Sequence, residues 1–343
     1  MARIGILNGG GDCPGLNAVI RAVVRKGTEH YGDAIVGFRN GYQGVLDGTV
    51  KELSPESVRG ILHRGGTILG TSRVNPFRMP DGLDRVRETL HALGIDGLIV
   101  IGGEGTMGTA AKLAAEGVNV VGVPKTIDND LAGTDVTFGF DTAVQVATDA
   151  IDRLHTTAES HNRVMVVEVM GRQTGWIGVY AGLAGGADVI LIPEHPFDIS
   201  EVCDHLRHRH SSGHLFSIVV VSEGARPKEG TMEQPEYEKD EFDRPRLGGI
   251  STEVAREIQQ RTGFDTRVHI LGYVQRGGSP TAYDRVLATR FGVAAIDLAS
   301  KGAWGRMVSL RGGDVVDVPL DESVSKPKLV PDELYEVAEV FFG

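Results

Sequence analysis

Short apolar runs rich in β-branched residues alternate along the chain with longer stretches whose apolar residues recur at helical spacing. The runs at 3–8, 34–38, 97–101, 118–123, 163–169, 189–192, 216–222, 267–271 and 306–310 predict strands. Between them, residues 139–159 place Ala143, Ala147, Ala150, Ile151 and Leu154 on one face of a helix. Pro14, the pair Ser54-Pro55, and Asp81 ahead of apolar positions mark further helix starts. This alternation predicts an α/β fold with mainly parallel sheets flanked by helices. No linker stands out, so a domain boundary is expected in short loops. Residues 224–247, rich in charge, Pro and Gly, read as a surface insertion or hairpin.

Composition narrows this picture. A chain of 343 residues suggests about two domains. Its 47 glycines are roughly twice the average share, yet they follow no collagen-like period, so a fibrous or disordered chain is excluded. The surplus points to tight turns and close backbone approach to a ligand. Thirty-five basic against 46 acidic residues give a net charge of −11, which argues against a broad nucleic-acid or anionic-membrane surface but leaves room for a local basic pocket. Cys13 and Cys203 are the only cysteines, too few for a disulfide framework, and a reducing, cytoplasmic setting is expected. A strand starting at Arg3 leads to the expectation of no signal peptide, and no apolar run reaches membrane-spanning length.

Ligands of parallel α/β sheets bind beyond the carboxyl ends of strands, which directs attention to three strand-to-helix loops. The first, Gly9–Asn17, removes side-chain bulk so that backbone N–H groups and a helix N-terminus can face an anion. A merely tight strand-to-helix turn is the lesser alternative for such a loop taken alone. The second, Gly102–Gly108, matches G-x-G-x-x-G, a weak motif by itself. The next strand ends in Pro124-Lys125 rather than in an acidic ribose ligand, which removes support from a dehydrogenase reading. Glu104 inside this loop suits Mg²⁺, an ion that prefers carboxylate and phosphate oxygens. The third loop, Pro124–Asp130, sets Asp128 and Asp130 beside Lys125 and fits metal–phosphate chemistry with a general base. Together the loops point to phosphoryl transfer. Arg73, Arg163, Arg172 and Arg276, beside glycines or at strand ends, supply cationic donors for phosphates. The histidines at 205, 208, 210 and 214 lack ligand spacing and read as a solvated helix face, and Cys13 lacks a histidine partner for nucleophilic work.

These loops, in this order, resemble the bacterial-type 6-phosphofructokinases. The resemblance covers the whole chain: Gly9–Asp12, Arg64–Thr67 with Ser72-Arg73, Gly102–Thr106, Thr126–Asp130, Met170–Arg172, Glu223-Gly224 and Gln275–Gly278. It implies two Rossmann-like lobes. Residues 1–139 with 252–306 would form a nucleotide-binding lobe, 140–251 with 307–322 a sugar-phosphate lobe, and 323–343 a C-terminal helix packing on them. It also implies a homotetramer with active sites shared between subunits, using fructose 6-phosphate, ATP and Mg²⁺.

Carried over by residue, the resemblance makes Asp128 the general base, with Thr126, Asp130, Arg73 and Arg172 completing the catalytic set. Gly11, Arg73, Val74, Gly103, Glu104, Gly105 and Thr106 would hold the donor, with Glu104 at the metal. Thr126, Asp128, Met170, Gly171, Arg172, Glu223, Tyr273 and Arg276 would hold the sugar phosphate, joined by Arg163 and Arg267 from the adjacent subunit. Tyr273 departs from the family pattern, where His is common; it keeps a hydrogen-bond donor without the charge.

Two positions divide ATP users from pyrophosphate users in this family, and here they carry a mixed signature, Gly105 and Lys125. Gly105 leaves the nucleotide path open, which favours ATP; pyrophosphate is the alternative. Arg21 and Arg25 match an effector site of bacterial relatives, while His155 and His214 stand where Arg and Lys are common, so allosteric control is expected to be altered and pH-sensitive. A lipid or nicotinamide-nucleotide kinase and a non-catalytic regulatory subunit are the competing readings.

Overall fold

The computed structural model describes residues 1–233 and 248–342. The chain divides into two compact units, residues 1–142 with 276–327 and residues 143–275 with 328–343. In the first unit β1 (Arg3–Asn8), α1 (Leu16–Lys26), β2 (Ala34–Phe38), α2 (Tyr42–Asp47), β3 (Val50–Leu53), α3 (Gly82–Ala92), β4 (Gly97–Gly102), α4 (Glu104–Ala115) and β5 (Val120–Pro124) follow one another. α5 (Phe140–His161) then carries the chain into the second unit. There follow β6 (Val164–Val169), α6 (Trp176–Ala184), β7 (Val189–Leu191), α7 (Ile199–Ser211), β8 (Ser217–Ser222), α8 (Ile250–Thr262) and β9 (Thr266–Ile270). α9 (Ala282–Ser300), β10 (Arg306–Arg311) and β11 (Asp314–Pro319) belong to the first unit, and α10 (Asp332–Glu339) to the second.

Strand order in the first unit is β11-β10-β5-β4-β1-β2-β3, parallel except for β3 and β11, the antiparallel edges. The second unit has the all-parallel order β7-β8-β6-β9. Sheets covered on both faces need strands apolar throughout, which is why Gly97–Gly102 and Val164–Val169 are buried at every position. Each fully buried aliphatic chain in such a strand, Ile99 or Val166 for example, contributes roughly 1.5–3 kcal/mol. The one carboxylate in β6, Glu168, is buried because it caps α8. It accepts from Gly249 N (3.0 Å), Ser251 N (3.2 Å) and Ser251 Oγ (2.6 Å).

The boundaries differ from those expected. Residues 252–275 fall in the second unit, where α8 packs on β9 and β6, and 307–322 in the first, where β10 pairs with β5 and β11 with β10. No helix starts at Ser54-Pro55. Ser54 and Ser57 each accept a bond from the other's N–H (2.9 and 3.3 Å), which closes a turn instead. Part of the stretch 224–247 expected as an insertion, residues 234–247, lies outside the described residues; its start is anchored by Phe197, which pairs with Pro227.

The first turns of α5 and α9 cap each other. Asp284 Oδ2 accepts from Thr142 N (2.8 Å) and Thr142 Oγ1 (2.5 Å), while Thr281 Oγ1 donates to Asp141 Oδ2 (2.6 Å). Asp284 is fully buried, and burial pushes its carboxyl up to about 6.

Candidate functional site

β1 runs into the glycine loop before α1. Gly9 N donates to Ile101 O (2.8 Å) and Gly10 N to Ser72 O (2.9 Å), so the loop is hydrogen-bonded to both neighbouring segments. A Cβ on Gly9 would lie 2.6 Å from the Thr106 side chain, and one on Gly102 2.3 Å from it. Thr106, in the first turn of α4, is therefore wedged between two glycines, and a larger residue at either would force the loops apart. Thr106 is buried, and its own N–H bonds Gly103 O (3.0 Å). The N–H groups of Glu104 and Gly105 open α4 and, like the first donors of any α-helix, have no intrahelical acceptor. Both residues are exposed, and a Cβ on Gly105 would meet nothing within 4 Å. This helix end can receive a phosphate.

Lys125 is turned the other way. It is 3% exposed, and its ammonium donates to Gly9 O (3.1 Å) and to Gly11 O. Burial holds its pKa below the usual lysine value. Beyond it, Asn129 adopts a left-handed conformation (φ 51°) that Asn tolerates well, and its Oδ1 accepts from Thr137 N (3.0 Å). That turn sets Asp128 and Asp130 on either side of it. Asp128 N donates to Thr126 Oγ1 (3.1 Å), and the same threonine side chain bonds Asp130. Burial, then the charges of Asp128 and Glu104, push the Asp130 carboxyl up to about 7. Its Oδ1 is buried without a partner.

Three carboxylates thus lie within electrostatic reach of one another, an arrangement that a cation relieves. Among the described residues no three His, Cys, Asp or Glu groups form a ready metal cluster. Mg²⁺ does not require one, since one or two carboxylates, phosphate oxygens and waters suffice, and Glu104 with Asp130 fit that role. Arg73 is exposed at the same end of the sheet, while Val74 packs its side chain on the core of the first unit. Arg276 belongs to the first unit too. Its guanidinium donates to Asp12 O (3.4 Å) and rests on Gly11, where a Cβ would lie 3.0 Å away. Cys13 is buried, and burial pushes its thiol to about 12, so it is no nucleophile at neutral pH.

The second unit assembles its own set at the ends of β6, β8 and β9. The turn Met170–Arg172 follows β6, with Gly171 at φ 143°. Gly224 N donates to Gly171 O (3.0 Å), and a Cβ at Gly224 would lie 2.1 Å from Arg172 O, so this approach requires glycine. Glu223 precedes it, half-buried, its N–H on Val169 O (2.9 Å). Met170 N donates to Oε1 of the buried Gln275 (3.2 Å), whose Nε2 donates to Gly272 O (3.1 Å). This fixes the turn that bears Tyr273, whose ring is 77% exposed. Arg163 and Arg267 lie at the opposite end of this sheet, where β6 and β9 begin, and converge on one carboxylate there. Arg163 Nε donates to Asp265 Oδ2 (2.6 Å), and Arg267 donates to Asp265 Oδ1. Those bonds hold Asp265 below the usual carboxylate range.

The remaining sequence candidates fall elsewhere. Arg25 pairs with Glu29 (3.0 Å), in an open groove that Arg21 also lines. His155 Nε2 lies 2.6 Å from Gly185 O. His208 and His214 are exposed, whereas His205 meets Phe342 edge-on and His210 stacks on Phe264 at 4.4 Å.

The phosphofructokinase family model matches residues 3–299. The chain belongs to the phosphofructokinase family. It is 58% identical to the pyrophosphate–fructose 6-phosphate 1-phosphotransferase of Amycolatopsis methanolica, over 99% of this chain and 100% of that one. It is 56% identical to the ATP-dependent 6-phosphofructokinase of Mycobacterium bovis, again over 99% and 100%. Among solved structures, phosphofructokinase from Saccharomyces cerevisiae matches with a TM-score of 0.81 and 33% identity, over 99% of this chain and 47% of that longer one.

Within this phosphofructokinase the sequence motifs left several positions unmarked. Asp265, Asn129, Thr71 and Gln275 orient the residues the motifs do name; Thr71, for instance, donates to Gly10 O (2.6 Å). Gln275 and Asn129 lie inside the Gln275–Gly278 and Thr126–Asp130 motifs, which is the available signal. Asp265 had none.

Proposed function

We propose that this protein transfers a phosphoryl group from ATP to the 1-hydroxyl of fructose 6-phosphate, giving fructose 1,6-bisphosphate and ADP, the committed step of glycolysis. The observation that carries the reading is the Thr126–Asp130 turn, which holds Asp128 and Asp130 beside the exposed N-terminus of α4. Asp128 accepts the proton of the attacking hydroxyl, and Thr126 fixes its backbone. Gly11, Gly103, Glu104 and Gly105 receive the donor phosphates through backbone N–H groups. Arg73 and Arg172 neutralise charge as the phosphoryl group moves in line, so positioning and electrostatics supply the catalysis without a covalent intermediate. Mg²⁺, held by Glu104 and Asp130, supplies charge neutralisation of the donor when bound. Met170, Gly171, Arg172, Glu223, Tyr273 and Arg276 hold the sugar phosphate, with Arg163 and Arg267 serving a neighbouring subunit of a homotetramer in the cytoplasm. Among the described residues no helix is long and apolar enough to cross a membrane. Arg21, Arg25, His155 and His214 contribute to an effector site between subunits.

ATP is favoured as donor by the open space at Gly105 and by the engagement of the Lys125 ammonium with loop carbonyls, which removes it as a free cation for pyrophosphate. The pyrophosphate-named relative at 58% identity keeps that donor as the second reading. The deciding assay supplies fructose 6-phosphate and Mg²⁺ with either donor. Turnover with ATP is expected. Turnover with pyrophosphate alone selects the second reading, and none with either supports a non-catalytic nucleotide-binding protein. Asp128→Asn should lower kcat about a thousandfold with little change in KM, as loss of a general base does.

A further inference from the structure

The C-terminal segment is fastened to the loops at the ends of β6 and β7, and one side chain joins the two. Glu194, after β7, accepts the Gly175 N–H with both carboxylate oxygens (2.9 and 3.0 Å) and the Val330 N–H with Oε1 (3.1 Å). Gly175 caps α6 and closes the turn that begins at Met170. A Cβ there would lie 2.4 Å from the Ile192 side chain and 3.1 Å from Glu194 Oε2, so both side chains lie directly against the Gly175 backbone. The next residue, Trp176, donates Nε1 to Lys328 O (2.8 Å) and lies under the Lys328 ammonium at 5.2 Å. Tyr335 of α10 donates its hydroxyl to Ile190 O (2.9 Å) and stacks on His195 at 4.2 Å and 5°. The Arg172 turn is thus held on one side by Gly224 and Gln275 and on the other by Glu194 together with residues 328–335.

We propose that Glu194 is a positioning residue for the sugar phosphate: it locks the Gly171–Gly175 turn to the C-terminal segment and so sets where Arg172 presents its guanidinium. The proposal rests on reading that turn as the sugar-phosphate site. Glu194 touches no substrate in this scheme. Its effect falls on capture of the sugar phosphate, since a charged fork must sit at the right place and angle to bind a phosphate bidentately. Donor binding, at the loops of the first unit, is untouched. Oε1 serves both N–H groups, so glutamine, whose amide oxygen can take that position, retains the lock, whereas alanine abolishes it.

Three measurements on the full-length chain test this: steady-state kinetics, thermal melting, and hydrogen exchange of the 171–176 amides, on the wild type, Glu194→Ala and Glu194→Gln. In Glu194→Ala the KM for fructose 6-phosphate should rise about tenfold, with the KM for ATP and kcat within about twofold, and exchange in 171–176 should accelerate. Glu194→Gln should recover most of both effects. A purely structural role would lower the melting temperature and active fraction without splitting the two KM values, and that result overturns the proposal. Faster exchange with an unchanged sugar-phosphate KM overturns it as well, while leaving the reaction intact. A wild type that does not phosphorylate fructose 6-phosphate overturns the functional reading and this inference with it.

Discussion

Around the glycine loop of the first unit three polar side chains are committed inward: Lys125 to the carbonyls of Gly9 and Gly11, Thr106 into the gap between Gly9 and Gly102, Asp284 to Thr142. At the amino ends of β6 and β9 in the second unit, the opposite end of that sheet from the Arg172 turn, Arg163 and Arg267 are partly exposed, with 28% and 48% of their side chains accessible, and share the carboxylate of Asp265. The first arrangement builds a cradle from backbone N–H groups and leaves little to rearrange. The second holds two cations on one carboxylate, which under the proposed function an incoming phosphate would displace. A lysine in a phosphate loop therefore need not bind phosphate. Here burial and two carbonyl acceptors make it part of the scaffold, whereas the exchangeable charge belongs to arginines.

Perturbing the first region should cost most. Gly105→Asp places a carboxylate on its one open edge, and kcat/KM for ATP should fall about a hundredfold or more; unchanged ATP kinetics would remove the argument for the donor. Lys125→Met leaves the carbonyls of Gly9 and Gly11 without their donor, and urea unfolding should show a loss of about 2–3 kcal/mol, the cost of unsatisfied buried acceptors. If Lys125 instead served the donor alone, stability would hold and only donor kinetics would change. Asp284 tests the same rigidity through pH. Its folded pKa of about 6 exceeds the ordinary 3.8, so its protonated form contributes stability that is complete below pH 4 and lost as the pH rises through 6. Unfolding free energy measured from pH 4 to 7 should therefore fall less steeply in Asp284→Asn, by about 2 kcal/mol across that span. Arg267→Ala, in the exchangeable region, should alter unfolding free energy by no more than about 0.5 kcal/mol, as for other exposed pairs, while still weakening fructose 6-phosphate binding. A larger loss of stability there would erase the contrast between the regions.

Nine strands were visible as apolar runs, eight of them because strands buried almost throughout carry no polar alternation; β9 is the exception, half-exposed along most of its length. β3 (Val-Lys-Glu-Leu) and β11 (Asp-Val-Val-Asp-Val-Pro) were not visible, because charged, solvated positions interrupt their apolar residues. The Ser54-Pro55 signal misled because it records only a possible cap, and the side-chain pairing of Ser54 with Ser57 used it for a turn. At the candidate site the local arrangement was legible: Glu104 at a helix start, Asp128 and Asp130 in one turn. What escaped were partners brought in from afar. Asp265 lies 102 residues from Arg163, Gln275 lies 105 from Met170, and Glu194 lies 136 from Val330. Lys125 was visible, but its direction was not, because a sequence does not say which carbonyls a buried ammonium will find.

The mutual capping of α5 and α9 has a consequence for synthesis. The first unit is interrupted: its strands β1 to β5 emerge early, but α9, which packs on α1, and β10, which pairs with β5, arrive only after the whole of 143–275 has been made. Until Asp284 leaves the ribosome, Thr142 has no carboxylate to cap it, and until Arg276 does, Gly11 lacks the guanidinium that rests on it. The nascent chain therefore carries an unfinished glycine loop, with the β5 edge of its central sheet unpaired, through more than a hundred residues of elongation. The second unit can close its four-stranded sheet as soon as β9 is out, yet its own fastening segment, residues 328–343, is the last part of the chain to arrive.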